Sequence, residues 1–471
     1  MSKDICFMSG SEMTNGIKNQ EITSLEITEA IIERIQKINP IINAYCTPTF
    51  DIAREMAKEA DNLVKQGKKV GLLNGIPTSI KDLMYTKGIR TTFGSLIYEN
   101  YIPAQDQIDV KRLKEAGCVL LGKTNTPEFG HFGHTRNKIF GVTKNPWNLE
   151  RTCGGSSGGA AAAVAAGISP LALGSDGGGS IRDPASLCGI YGLKPTFGRI
   201  PVYPKNGVQG YSISHHGPLT RYIEDAALML DVMKGFHEFD RDSLPDDNIS
   251  YTEHLDELPK TLKIAFSLDM GIAKVVHPDV ERAVSNAVTE LEQFGWTIET
   301  PKMKIKNPVL AFNTIFTALY AADLAPKLKK WRDKMEPSLV KFIEAGLSFP
   351  ATALLKAFKQ RKVFHEKFNK FMKDYDILIT PTVAIPAFKL GIDYPAEIDG
   401  KNVSPTGWQP YAPPFNLTGN PAASIPCGFS KDGLPIGMQI VGHRYEDLLV
   451  LQVSKAFQDV APWQDKKPQF G

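Results

Sequence analysis

Paired cysteines are missing from this chain of 471 residues. The six cysteines, at positions 6, 46, 118, 153, 188 and 427, form no C-x-x-C pair and keep no regular spacing. The familiar zinc and thiol-redox motifs are thereby excluded. A chain this long needs no disulfide scaffold either, so free thiols in a reducing compartment are expected. Long apolar runs are scarce as well. The nearly apolar stretch at residues 160–173 is too short and too interrupted to span a bilayer. The first sixteen residues, MSKDICFMSGSEMTNG, lack the apolar centre of a secretory leader. These two absences lead to the expectation of a cytoplasmic protein with no membrane partner. Excess charge is also lacking. Lysine and arginine number 54 against 51 aspartates and glutamates, a net +3, too little for a nucleic-acid surface. The nine histidines show no H-E-x-x-H or similar ligand spacing, so neither a metal nor any other cofactor is expected.

What is present is a steady alternation of strand-like and helix-like segments. Thr23-Ser24-Leu25-Glu26 fits a capping box, and Ile27, Ile31, Ile32 and Ile35 follow at helical spacing until Asn39-Pro40, which should stop the helix. Helices are also expected over residues 51–65, 110–116, 160–166, 221–234, 279–294 and 446–458, and over most of 308–371. Strands are expected over 75–84, with Lys81 near the end, and over 118–121, 171–174, 262–266, 296–299, 377–380, 423–425 and 438–441. There is no repeat and no clear linker, which argues for one large α/β domain spanning residues 1–471.

Two well-known patterns match by letter and fail by physics. GCVLLGKT, residues 117–124, satisfies G-x-x-x-x-G-K-[ST]. A phosphate cradle needs a flexible loop followed by a helix, yet the middle residues here are Cys-Val-Leu-Leu, themselves a strand, and Asn-Thr-Pro follows. GGSSG, residues 154–158, satisfies G-x-S-x-G. A nucleophile elbow must follow a buried strand, and the preceding residues are polar and turn-like.

A third pattern spans both glycine-serine runs. GGSSGG, residues 154–159, is followed by an alanine-rich segment and then by GSDGGGSIRDP, residues 174–184. Together these resemble the signature of the amidase signature hydrolases. GIPTSIKD (75–82), GKTNTPEF (122–129), NPW (145–147) and GLKPT (192–196) match in the same order, and weaker similarity covers nearly the whole chain. The resemblance implies a single α/β domain with a mixed, twisted central sheet covered by α-helices. It places a catalytic core at about 70–235 and a helical cap at about 302–375.

By position, the resemblance carries a catalytic triad onto Lys81, Ser156 and Ser180. Ser180 becomes the nucleophile, Ser156 the bridge and Lys81 the final base, with the Gly155–Ser156 bond expected cis. The residue types suit the task. A serine hydroxyl needs an adjacent base, and a lysine is a base only when neutral. An ordinary lysine, with pKa about 10.4, would have to lose roughly 3.4 units, or about 4.6 kcal/mol, to titrate near 7. Burial can supply that, so Lys81 is expected to be buried. Gly177, Gly178 and Gly179, lacking side chains, can bring backbone N–H groups to a carbonyl oxygen that becomes negative, joined by the N–H of Ser180. Each such donor lowers a barrier by about 2.7–4 kcal/mol. Gly177 departs from the family, many members of which carry Thr or Ile there. Asp176 and Arg182 should fix the loop by pairing, and Ser157 should support it by hydrogen bonding. Gly130 and His131 are expected to line the substrate pocket.

The expected reaction is hydrolysis of a small amide, of aryl, alkyl or peptide-like type. Esters, carbamates and cyclic amides are open to the same nucleophile. A small-molecule substrate is the partner required, and the chain is expected to be a monomer or homodimer. Two other readings stand beside this one. The first is the glutaminase of a tRNA-dependent amidotransferase, its A chain. That chain usually has an aspartate about where Gln409 lies, to hold the α-amino group of glutamine. The second is a non-enzymatic scaffold of the same fold.

Overall fold

The computed structural model describes residues 4–205 and 213–470. Eleven strands form one sheet: β1 (Tyr45–Pro48), β2 (Pro77–Lys81), β3 (Val119–Thr124), β4 (Leu171–Asp176), β5 (Tyr191–Lys194), β6 (His215–Thr220), β7 (Lys263–Phe266), β8 (Thr297–Glu299), β9 (Ile377–Pro381), β10 (Ala422–Phe429) and β11 (Pro435–Gly442). Their order across the sheet is β1-β3-β2-β4-β6-β5-β10-β11-β9-β7-β8. The sheet is mixed: β2 runs parallel to β3 and β4, and β7 parallel to β8 and β9, while the strands between them pair antiparallel. Helices cover it. The expected fold, a single domain built on a mixed central sheet, is the fold observed.

Three strands escape a reading of the sequence. β1, β5 and β6 hold Tyr-Cys-Thr-Pro, Tyr-Gly-Leu-Lys and His-His-Gly-Pro-Leu-Thr, which mix proline, glycine and charge with few apolar residues. Strands like these are held by their neighbours in the sheet rather than by their own propensity. The first long helix also runs further than expected, from Ser24 to Ile42, with Pro40 inside its last turn. Asn43 ends it in the left-handed conformation, and the Asn39 side chain bonds both the N–H and the carbonyl of Tyr45.

Two short helices frame the centre. α1 (Gly158–Ala165) is made only of Gly, Ala and Val, and all eight residues are buried. Small side chains let it lie against neighbouring backbone: a Cβ at Gly159 would collide with the main chain of Asn125. α2 (Arg182–Cys188) follows the second glycine run. Three further helices form a group in which the second and third each pack on the first: α3 (Val309–Trp331), α4 (Pro337–Leu347) and α5 (Ala351–Met372). By length and composition α3, extended through Lys334, is long and apolar enough to cross a membrane, which the expected absence of such a segment did not foresee. In this structure it packs against α4 and α5. α6 (Pro413–Thr418) lies between this group and the glycine loop.

Candidate active site

Because β2 and β4 are parallel and adjacent, with Ile80 opposite Leu173, their ends deliver Lys81 and Ser175-Asp176 to the same edge of the sheet. The first glycine-serine run arrives at that edge as the entry to α1. The Gly155–Ser156 bond there is cis. Lys81 is fully buried, as expected. Its Nζ lies 2.7 Å from Ser156 Oγ, 2.9 Å from Ser157 Oγ and 3.0 Å from Ser175 Oγ. No carboxylate among the described residues pairs with it, and it faces the N-terminal end of α1, whose dipole disfavours a positive charge. Burial pushes the Lys81 amine well below its usual value, opposed in part by the charge of Asp176.

The second run forms the loop between β4 and α2. Here the hydrogen bonds assign different jobs to neighbouring residues. Asp176 and Arg182 are both fully buried and pair twice, Nη2 to Oδ1 at 2.9 Å and Nε to Oδ2 at 2.9 Å. Burial by itself would raise the Asp176 carboxyl, but the Arg182 guanidinium beside it holds it far below the usual carboxylate range. The N–H of Gly179 donates to Asp176 Oδ1 at 2.7 Å, so it is not a free donor as expected. The N–H groups of Gly177, Gly178 and Ser180 bond to none of the described residues. Gly177, Gly178 and Ser180 are also half-buried, whereas Gly179 is buried.

Ser180 sits at the end of this loop. Its carbonyl accepts from the N–H of Ser157 at 3.1 Å, which ties the two glycine runs together. No hydrogen bond joins the hydroxyls of Ser156 and Ser180 among the described residues. Hydrogen bonds of this kind are often long in a free enzyme and tighten with substrate.

Gly130 and His131 lie on the other side of Ser156. A Cβ at Gly130 would fall 3.3 Å from Ser156 Oγ. The His131 ring is held at both nitrogens, by the Glu128 carbonyl at 2.9 Å and by Ser338 Oγ at 3.0 Å. Burial pushes its pKa down to about 4, so the ring is neutral over the ordinary pH range. Above the glycine loop stand two stacked rings of α3. A Cβ at Gly177 would touch Phe316, and one at Gly178 would clash with Phe312.

Several residues in this network carry no signal in the sequence. Asn416 accepts from Arg182 and donates to both the carbonyl and the carboxylate of Asp176. Gln439 accepts from Arg182 Nη1 at 2.7 Å. Both lie far along the chain from Arg182, and polar residues in an apolar strand or a short helix look the same whether or not they meet an arginine. Ser175 was within reach: it stands between the glycines of the second run and beside Asp176. Gln409 lies near Gly133, where its Oε1 would be 3.2 Å from a Cβ. No cluster of three or more His, Cys, Asp or Glu side chains forms a metal site among the described residues.

Comparison with known proteins gives a consistent picture. The family model described as Amidase matches residues 26–451. The chain is 37% identical to an acylamidase of Rhodococcus erythropolis, over 99% of this chain and 98% of that protein. It is 36% identical to the A chain of the glutamyl-tRNA(Gln) amidotransferase of Carboxydothermus hydrogenoformans, over 99% and 100% respectively. Among solved structures, a bacterial aryl acylamidase of the amidase signature enzymes superposes with a TM-score of 0.91 at 32% identity, covering 97% of each chain. The 6-aminohexanoate cyclic dimer hydrolase with bound substrate also reaches 0.91, at 30% identity, over 98% of this chain and 99% of that one.

Proposed function

This chain belongs to the amidase family and is a hydrolase of carbon–nitrogen bonds other than peptide bonds, and on that premise we propose that it cleaves a small uncharged amide through Ser180. The observation that carries the proposal is a buried amine, Lys81, held 2.7 Å from the hydroxyl of Ser156 with no carboxylate among the described residues paired to it.

The steps follow from the groups present. Neutral Lys81 takes a proton from Ser156, and Ser156 takes one from Ser180 as Ser180 Oγ bonds to the carbonyl carbon. The carbonyl oxygen gains the negative charge and is met by the N–H groups of Gly177, Gly178 and Ser180. In the collapse that follows, the C–N bond breaks, and the proton returns through Ser156 to the leaving nitrogen. Water then repeats the sequence on the acyl-serine and releases the acid. Asp176 serves by holding the loop through Arg182 and Gly179 rather than by moving protons.

The substrate is uncharged where it meets the site. Burial disfavours charge on Lys81, His131 is neutral, and Asp176 is matched by Arg182. Burial pushes the nearby Asp183 carboxyl up, which disfavours its charge. Aryl, alkyl and peptide-like amides all satisfy this condition, as do esters, carbamates and cyclic amides. The glutaminase reading rests on the similarity to the A chains of the amidotransferases. Against it stands Gln409, an amide where a carboxylate would be wanted for an α-amino group. Two assays separate the readings. The lone chain should hydrolyse an anilide and label at Ser180 with a serine-directed phosphonate. Release of ammonia from glutamine that requires a co-purified partner, with no anilide hydrolysis, would overturn the proposal.

A further inference from the structure

Glu128 is a buried carboxylic acid for which the reaction above has no use. It opens the short turn Glu128–Gly130 and is 2% exposed, with no cation among the described residues paired to it. Its two oxygens reach in different directions. Oε1 accepts from the hydroxyl of Ser95 at 2.6 Å, in the segment that follows β2. Oε2 accepts from the N–H of Glu336 at 2.6 Å, the residue that caps α4. The turn itself is unusual. Phe129 has φ 52° and Gly130 φ 73°, both left-handed, and for Phe129 that conformation needs outside support. Two more bonds from the helical cap supply it: the Tyr320 hydroxyl of α3 donates to the Phe129 carbonyl at 3.0 Å, and Ser338 of α4 bonds His131 Nε2. Gly130, the end of this turn, packs on Ser156.

We propose that Glu128 is a positioning residue, fastening the turn against Ser156 to the head of α4, so that seating the helical cap and presenting Ser156 are one event. The inference rests on the amidase reading for its consequence, but its geometry is independent of it.

The tie has a direction in pH. Burial pushes the Glu128 carboxyl up to about 7. The charged groups facing it are Glu336, at the head of α4, which opposes its ionisation, and Lys138, which favours it and is held on the Met335 carbonyl at 2.6 Å. From its own turn it meets neutral His131, from α3 Tyr320 with Asp323 beside it, and from the Ser95 segment Tyr98, whose ring packs on Phe129. If the cap lifts, the carboxyl meets water and its pKa returns towards about 4.3. The seated form therefore holds the proton more tightly. The tie is at full strength below about pH 4.3, loosens as pH rises from there through about 7, and changes little above that.

The test compares wild type with Glu128→Gln and Glu128→Ala. The glutamine can accept from the Glu336 N–H and cannot ionise. Amide hydrogen exchange over residues 336–347, corrected for the intrinsic pH dependence, should quicken about tenfold in wild type between pH 6 and pH 9. It should not change with pH in Glu128→Gln. For anilide hydrolysis at pH 7, Glu128→Ala should lose about tenfold or more in kcat, and Glu128→Gln should recover most of it. Equal pH responses of exchange in wild type and Glu128→Gln would overturn the proposal, as would a wild-type kcat in Glu128→Ala. If the alanine variant does not fold, the exchange comparison decides alone. Phosphonate labelling of Ser180 in the same samples is scored separately. Labelled protein with a pH-independent cap sinks the tie alone, and unlabelled wild type sinks the amidase reading alone.

Discussion

At the scale of single residues, the centre of the molecule is a contest between burial and charge. Lys81 loses: it sits where an ammonium is costly, and its nearest companions are hydroxyls. Its pKa is therefore depressed, and the sign of the pH effect follows. On the proposed mechanism the amine is protonated and idle at low pH, so activity should rise as pH climbs through the depressed value. A rate that stays flat from pH 5 to 9 would contradict a lysine base. Lys81→Ala should cost at least about three orders of magnitude in kcat/KM, because no other described side chain can take its proton role. Asp176 wins the same contest, because Arg182 bonds it twice. Asp176→Asn leaves the guanidinium buried without its charge partner, and such broken pairs cost about 3–5 kcal/mol. Chemical denaturation at pH 7 would read that loss. Since the folded Asp176 carboxyl lies far below its unfolded value of about 3.9, the pair's contribution is fully present above that pH and fades only on further acidification.

At the scale of elements, α1 is the part whose sequence and position explain each other best. Two serines stand at its entry, and no side chain larger than valine lies along it, so it can press against β4 and the backbone of Asn125 and carry the serines to Lys81. Gly159→Ala would force a methyl group into that backbone. Overpacking of this kind costs about 1–3 kcal/mol. Thermal melting should fall, and kcat should fall with it, because displacing α1 moves Ser156 from Lys81. Unchanged kcat in a folded Gly159→Ala protein would show that the serines are positioned independently of the helix. This region is also the most legible in the sequence. Glycine and serine in fixed order are rare enough to be read by eye, and the burial of Lys81 follows from the chemistry asked of it. Less can be read where chemistry is shared across distance. Asn416, Gln439 and Glu128 are ordinary polar residues until the fold brings them to their partners. Along the chain the N–H of Gly179 reads as a free donor, because nothing there shows that the carboxylate three residues earlier turns back to take it.

At the scale of the whole molecule, the sheet organises the site and the helical cap closes one side of it. The cap puts Phe312 and Phe316 on the glycine loop, so the space beside Gly177 and Gly178 is apolar and aromatic on that side. Added negative charge on a substrate should be penalised. Placing a carboxylate on the ring of a reactive anilide should lower kcat/KM by at least about tenfold, because the faces of Phe312 and Phe316 offer no hydrogen bonds to replace its water. Equal rates for the neutral and charged anilides would locate the substrate elsewhere.

The bonding of Arg182 to the Ala412 carbonyl, Asn416 and Gln439 means that the loop carrying Ser180, the proposed nucleophile, is completed by residues made 230 to 257 positions after the arginine. A growing chain holds Lys81, Ser156 and Ser180 long before it holds the groups that fix the arginine. Until residue 439 has left the exit tunnel, the chain should be inactive. Chains halted near residue 400 should leave Ser180 unlabelled by phosphonate, and the serine should become reactive only once residue 439 can reach the arginine.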